Sequence, residues 1–345
     1  MSDRLRVSLR TLTIPVVLLV PVAVNGQSRT GGAAQRTQTR PKAWTPPLTA
    51  DGQPDLQGVW LNNGATPFER PTALEGKPLL TDDEVAELKR RADRLFKDGD
   101  ADLPVGDNFF LAALANPEHY RNPNGANRSS AGMVEREFDN RTSLIVDPPD
   151  GKIPALTPEA EQRRAVAVAR DRAPAGPEDV NNSSRCTTPG VPRIGREGDP
   201  LYGHFQILQA PGYVVLLMET IHDARIVPLD GRPHLAQSIR QWSGDSRGRW
   251  QGSTLIVETT NFSSKSDFLG SGDTLNLVER FTRVASDTIN YEITADDRAT
   301  WTKPWTAIIH LKQIQANIYE YACHEGNKQS MLATLASARA DDVSR

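Results

Sequence analysis

The chain has 345 residues, with 40 Lys and Arg against 43 Asp and Glu, for a formal charge of -3. It has no basic block and no basic stripe interleaved with aromatics, which argues against nucleic acid as a partner. The length suffices for a full core in one or two domains, and 25 Gly with 25 Pro point to many turns.

Arg4, Arg6 and Arg10 precede an apolar run from Leu12 to Val24, and small residues follow near Gly26-Gln27. That is the layout of a secretory signal peptide over residues 1–26. The run is short for a membrane span and is broken by Pro15 and Pro21; no later segment is long and apolar enough. The expected product is periplasmic or secreted, with no stable membrane span once the leader is cut. Residues 27–47, rich in Gln, Arg, Thr, Gly and Pro, read as a disordered leader. A single β-rich domain is expected over 48–345. It divides into a helix- and loop-rich part (48–200), a β meander (201–327) and a C-terminal helix or tail (328–345).

Asp55–Trp60 reads as a turn running into a strand. Thr81-Asp82-Asp83-Glu84 is a capping box that opens a helix through about Phe96, with Val85, Leu88, Ala92 and Leu95 on one face. Residues 99–132 lack periodicity and hold Asn-Pro and Asn-Gly pairs, so they read as a long loop with one helical turn. Ser143–Val146 is a candidate strand. Thr157-Pro158-Glu159 starts a second helix, with Pro at its first position. From about Leu201 apolar and alternating runs recur between turn signals. The runs are Phe205–Leu208, Tyr213–Met218, Ala224–Leu229, Thr254–Phe262, Leu275–Val284, Thr288–Thr294, Thr306–Gln313 and Ile318–Cys323. Such an antiparallel meander must close or stack to bury its face and edges. The expected fold is mainly β: a meander closed as a barrel or strongly curved sheet, with two helices and long loop insertions in the N-terminal half.

The two cysteines of an exported chain suggest one disulfide, Cys186 to Cys323. The competing assignment makes Cys323 a nucleophile beside His324. Neighbours on a strand point to opposite faces, so adjacency alone does not pair thiolate with imidazole. Glu219, Glu258, Glu279, Glu292 and Glu320 recur in or at the ends of the strands. Either they lie on the solvated face, or they line a polar lumen with Arg280 and Arg283 as counter-charges.

Two clusters hold chemical candidates: Glu219–Arg225, with His222 and Asp223, and His324-Glu325. If the last strand pairs near Tyr213–Thr220, His222 and His324 meet at one barrel mouth. A His–Asp or His–Glu pair there suits general acid–base catalysis. Arg225, with His234, Glu219, Trp250 and Arg280, is a candidate ligand-binding set, Arg225 or Arg232 holding an anionic group and Trp250, by default a core residue, stacking on a ring. His222, His234, His324 and Glu325 have zinc-ligand chemistry, but no H-E-x-x-H helix or cysteine cluster supports a metal site. No phosphate loop, G-x-S-x-G elbow or dinucleotide fingerprint occurs, so no cofactor is expected.

Five segments together resemble the hallmark segments of a family of uncharacterised exported bacterial proteins. They are Asp55–Trp60, Ile221–Arg225, Pro228–His234, Gly248–Leu255 and Tyr321–Asn327. This resemblance implies membership and no activity. Gly58-Val59-Trp60 followed by a meander is also similar to lipocalin-like barrels. That similarity implies a Trp closing one barrel end and a lumen for a small, often apolar ligand. The chain departs from that pattern in its length, in about 140 residues between the G-x-W and the main meander, and in its strand glutamates. The function expected is an exported small-molecule-binding protein. The alternative is a cofactor-independent hydrolase, lyase or isomerase using His222 and His324 with Asp223 or Glu325.

Overall fold

A computed structural model describes residues 44–97, 99–123, 135–188, 191–192 and 204–343. The expected signal peptide, most of the leader and part of the 99–132 loop lie outside the described residues. The fold is mainly β, and its sheet is nearly closed into a barrel.

The strands are β1 (Gly58–Leu61), β2 (Ile145–Asp147), β3 (His204–Ala210), β4 (Tyr213–Met218), β5 (Ala224–Pro228), β6 (Asp245–Gln251), β7 (Thr254–Thr260), β8 (Asn276–Ala285), β9 (Thr288–Asp296) and β10 (Trp305–Ile314). The hydrogen-bonded order is β5-β4-β3-β1-β10-β9-β8-β7-β6, with β2 added beside the start of β10. Every neighbouring pair is antiparallel. Eight such steps return the chain direction, so the two end strands, β5 and β6, run the same way. They meet through side chains: a Cβ built on Gly248 of β6 would lie 2.8 Å from Val227 Cγ1 and 2.6 Å from Leu229 Cδ2.

Alternation along the strands sends one set of side chains inward. In β9, Ile289, Tyr291, Ile293 and Ala295 are buried; in β10, Trp305, Ala307, Ile309 and Leu311. The same phase continues through Leu255 and Val257 of β7, Phe205 and Ile207 of β3 and Val214 and Leu216 of β4, and these form one apolar core. Trp60, with no solvent exposure, closes part of this core. Its Nε1 donates to Leu56 O at 2.9 Å, and the Arg283 guanidinium lies 5.3 Å over its ring. Arg283 is tied in turn to Asp55 O and Gln313 Oε1.

The helices are α1 (Asp82–Phe96), α2 (Asn108–Ala115), α3 (Pro158–Arg172) and α4 (Asn327–Val343). The Thr81 hydroxyl accepts from Glu84 N while Glu84 Oε2 accepts from Thr81 N, so the capping box forms as its residue types require. α1 and α2 share a second core in which Phe96, Phe109, Phe110, Tyr120 and Phe138 pack ring against ring. Arg141 pairs with Asp139 and donates to Ile308 O, so this segment lies against β10.

Three expectations change in detail. The 99–132 region contains an eight-residue helix, α2, in place of a single turn. Asp245–Gln251 is a strand, whereas no expected run covers it and Arg249–Gly252 reads as a turn into the run from Thr254. Ile318–Cys323 is not a strand: its Tyr319 and Tyr321 amides donate to side chains of the β4–β5 corner and its Cys323 amide to Tyr321 O, instead of to a ladder.

Candidate functional site

The strand phase delivers three polar side chains into the apolar interior. In β8, Glu279 falls between Leu277 and Phe281, both buried. In β9, Tyr291 falls between Ile289 and Ile293. In β5, Arg225 shares the face of the buried Val227. β5 and β8 are not ladder neighbours. The Arg225 guanidinium nevertheless crosses to Glu279, Nη1 to Oε2 at 2.5 Å and Nη2 to Oε1 at 2.9 Å. This is the bidentate geometry that suits guanidinium and carboxylate. The Tyr291 hydroxyl donates to Glu279 Oε1 at 2.5 Å. The Glu279 side chain has no exposure and that of Arg225 has 9%.

The environment fixes the protonation of two of the three. Burial pushes the Tyr291 phenol well above its ordinary value, and the Glu279 carboxylate adds to the rise. Burial works against the Arg225 charge, but the Glu279 carboxylate outweighs it and holds the guanidinium above its ordinary value. Both stay protonated at neutral pH.

A cavity of about 10 Å³ adjoins this array, lined by Val191, Phe205, Leu216, Met218, Asp223, Arg225 and Tyr291. That is room for about one water. Asp223 is held at its edge, with Oδ2 accepting from Thr188 Oγ1 at 2.9 Å and Ser243 Oγ at 2.8 Å.

The corner between β4 and β5 is a short turn, Thr220–His222. Ile221 and His222 there take left-handed backbone, φ 64° and 54°. That conformation is rare for a β-branched residue and persists only where the surroundings hold it. Here the C-terminal segment holds it. Tyr321 N donates to His222 Nε2 at 2.8 Å, and Tyr319 N donates to Glu219 Oε2 at 3.1 Å. His222 accepts at Nε2, so the neutral ring carries its proton on Nδ1. Just beyond, Cys323 is joined to Cys186, with a Cα separation of 5.7 Å across 137 positions of sequence. The disulfide fits a non-cytoplasmic compartment. Among the described residues no helix is long and apolar enough to cross a membrane.

The candidates from sequence therefore separate. Asp223 and Arg225 reach the cavity. His222 and Glu219 anchor the C-terminal segment. His324 and Glu325 follow the disulfide on an exposed turn, and neither side chain forms a hydrogen bond or ion pair among the described residues. His234 Nδ1 lies 3.0 Å from Asp245 Oδ2, where the carboxylate also accepts from Leu235 N and Arg247 Nη1. Arg280 pairs with Glu292 on the outer face, and Arg249 pairs with Glu258 there. Trp250 packs, half-buried, against the barrel core. Among the described residues no group of three or more His, Cys, Asp or Glu converges as metal ligands would.

Sequence reasoning noted Glu279 among the strand glutamates but did not separate it from the others, and it missed Tyr291. The signal was present in the phase. Leu277, Glu279, Phe281 and Arg283 alternate with Val278, Arg280 and Thr282, so Glu279 and Arg280 must face opposite ways. Comparison with protein-family models and with curated proteins gives no match.

Proposed function

We propose that the chain is a periplasmic or secreted protein that binds a small organic molecule at the Asp223–Arg225–Tyr291 end of the barrel interior. The observation that carries this reading is the Arg225–Glu279–Tyr291 array standing beside a cavity. Taking an ion pair out of water costs several kcal/mol per ion, on the order of what its attraction returns, so a buried pair is a poor way to stabilise a fold. Desolvated charged groups at a cavity wall are a common mark of a recognition site. Two of the five N–H donors of Arg225 go to Glu279, and the Asp223 carboxylate at the cavity edge also acts on its charge. A carbonyl oxygen of the ligand suits the donors that Glu279 leaves, where a carboxylate would meet the charge of Asp223. Phe205, Leu216 and the flexible Met218 suit an apolar remainder. The cavity holds about one water, so a larger ligand enters by displacing these side chains. The acid–base alternative has less support, since the His222 Nε2 lone pair is engaged by Tyr321 N and His324 stands exposed.

The test is native mass spectrometry of protein recovered from the secreting cell, followed by thermal denaturation with a panel of small carboxylates and ketones. A bound small molecule, or stabilisation by a panel member that Asp223→Asn strengthens by removing the carboxylate beside Arg225, is the expected result. Empty protein that no member stabilises would sink the reading.

A further inference from the structure

Two hydrogen bonds tie the segment after β10 to the β4–β5 corner, and they respond differently to a proton. In one, Glu219 Oε2 accepts from Tyr319 N at 3.1 Å. In the other, His222 Nε2 accepts from Tyr321 N at 2.8 Å. A carboxylate keeps its lone pairs through the neutral range. An imidazole does not, because its cation carries a hydrogen on both nitrogens and accepts at neither. Tyr321 N–H would then face another N–H. His222 is exposed, so a proton reaches the ring without any opening of the barrel.

The surroundings give this contact two discrete states. His222 and Ile221 both hold left-handed backbone, φ 54° and 64°, which lasts only while neighbouring groups enforce it. The segment that enforces it is fixed at both ends, by β10 up to Ile314 and by the disulfide at Cys323. Residues 315–322 can therefore lift off and return without a new loop being closed.

We propose that His222 is a proton-operated latch: its neutral ring docks residues 315–322 on the β4–β5 corner, and its protonation releases them. The docked state needs the neutral ring, so docking holds above the ordinary imidazole range near pH 6.5 and weakens as pH falls through it. The charged groups around the corner do not oppose the proton. Glu219 and Asp223 flank the ring on its own turn, and the segment brings Glu320, His324 and Glu325. β3 brings His204, whose Nδ1 lies 3.7 Å from Glu219 Oε1. The Cys186 segment brings Arg185, already paired with Glu178, and Arg225 of β5 is paired with Glu279. Carboxylates thus prevail there and favour a positive ring. Asp223 follows the latch directly and lines the cavity, so release of the segment loosens the cavity edge.

Hydrogen exchange of the full chain, read as protection factors at about pH 8 and about pH 5.5, tests this. Protection of the Tyr321 amide is expected to fall about fivefold at the lower pH, as for the loss of one hydrogen bond, while β8–β10 stay protected. His222→Gln sets an amide oxygen near the place of Nε2 with no titrating group, so its Tyr321 protection is expected to be flat. His204→Gln is expected to keep the wild-type response. In NMR of the unmutated chain, the His222 ring and the Tyr321 amide should titrate with one midpoint. Wild-type protection that ignores pH overturns the proposal, as do separate midpoints, a response that survives in His222→Gln, or one that vanishes in His204→Gln.

Discussion

At the scale of single residues, the energetic centre of the barrel is Glu279. It accepts from both Nη atoms of Arg225 and from the Tyr291 hydroxyl, with no exposure of its own. Removing its charge leaves a guanidinium buried without a counter-ion. Glu279→Gln keeps the shape and is expected to lose about 3–5 kcal/mol of stability. Tyr291→Phe removes one donor while Arg225 still holds both carboxylate oxygens, so its cost is expected at about 1–2 kcal/mol. The combination Arg225→Met with Glu279→Leu removes both charges and is expected to be more stable than either single variant. Urea unfolding of the set decides the matter. A double variant as unstable as the sum of its singles would show that the pair is not coupled.

At the scale of elements, the barrel depends on a seam without a ladder. An odd number of strands joined only by antiparallel pairs leaves β5 and β6 parallel, and Gly248 lets them approach. Its backbone is in the ordinary region, so substitution tests packing without strain from a positive φ. Gly248→Val is expected to cost roughly 1–3 kcal/mol by forcing Val227 and Leu229 outward. Leu229→Ala in the same chain should recover part of the loss, giving a positive coupling in thermal midpoints; simple additivity would mean the two strands do not touch there. This seam was not legible in the sequence, because Gly248 reads equally well as a turn residue. Elements whose signals are local were legible. The Thr81 capping box, Pro158 at a helix start and the alternation of β8–β10 each formed where residue type and spacing require. What depended on long-range partners was not. Ile318–Cys323 has strand composition, but Glu219 and His222 take its Tyr319 and Tyr321 amides. Arg225 was visible as a candidate, whereas its partner across the barrel follows only from which strands lie opposite. His324 and Glu325 drew attention by adjacency, and adjacency is poor evidence on a chain that turns at every residue there.

At the scale of the whole molecule, the disulfide links two segments that lie outside the barrel strands. Cys186 precedes β3 and Cys323 follows β10. A cross-link spanning 137 positions restricts the unfolded chain by about 5 kcal/mol in the loop-entropy picture. That figure is an upper bound here. Apart from the disulfide, the backbone of the C-terminal segment is held to the β4–β5 corner by Glu219 and His222, and α4 beyond it is largely exposed. Without the cross-link the segment can fray while the barrel stays folded, and fraying returns part of the lost stability to the native state. Cys186→Ser with Cys323→Ser is therefore expected to keep the β-sheet circular dichroism and to lose less than about 5 kcal/mol in urea unfolding. Hydrogen exchange at the Tyr319 and Tyr321 amides should accelerate far more than at β8–β10. Release of this segment also frees the His222 corner that adjoins Asp223, so the same variant should loosen the cavity edge before it loosens the barrel. Unchanged protection at Tyr319 and Tyr321 alongside the full loss of stability would show that the segment stays docked and that the staple acts on the unfolded chain alone.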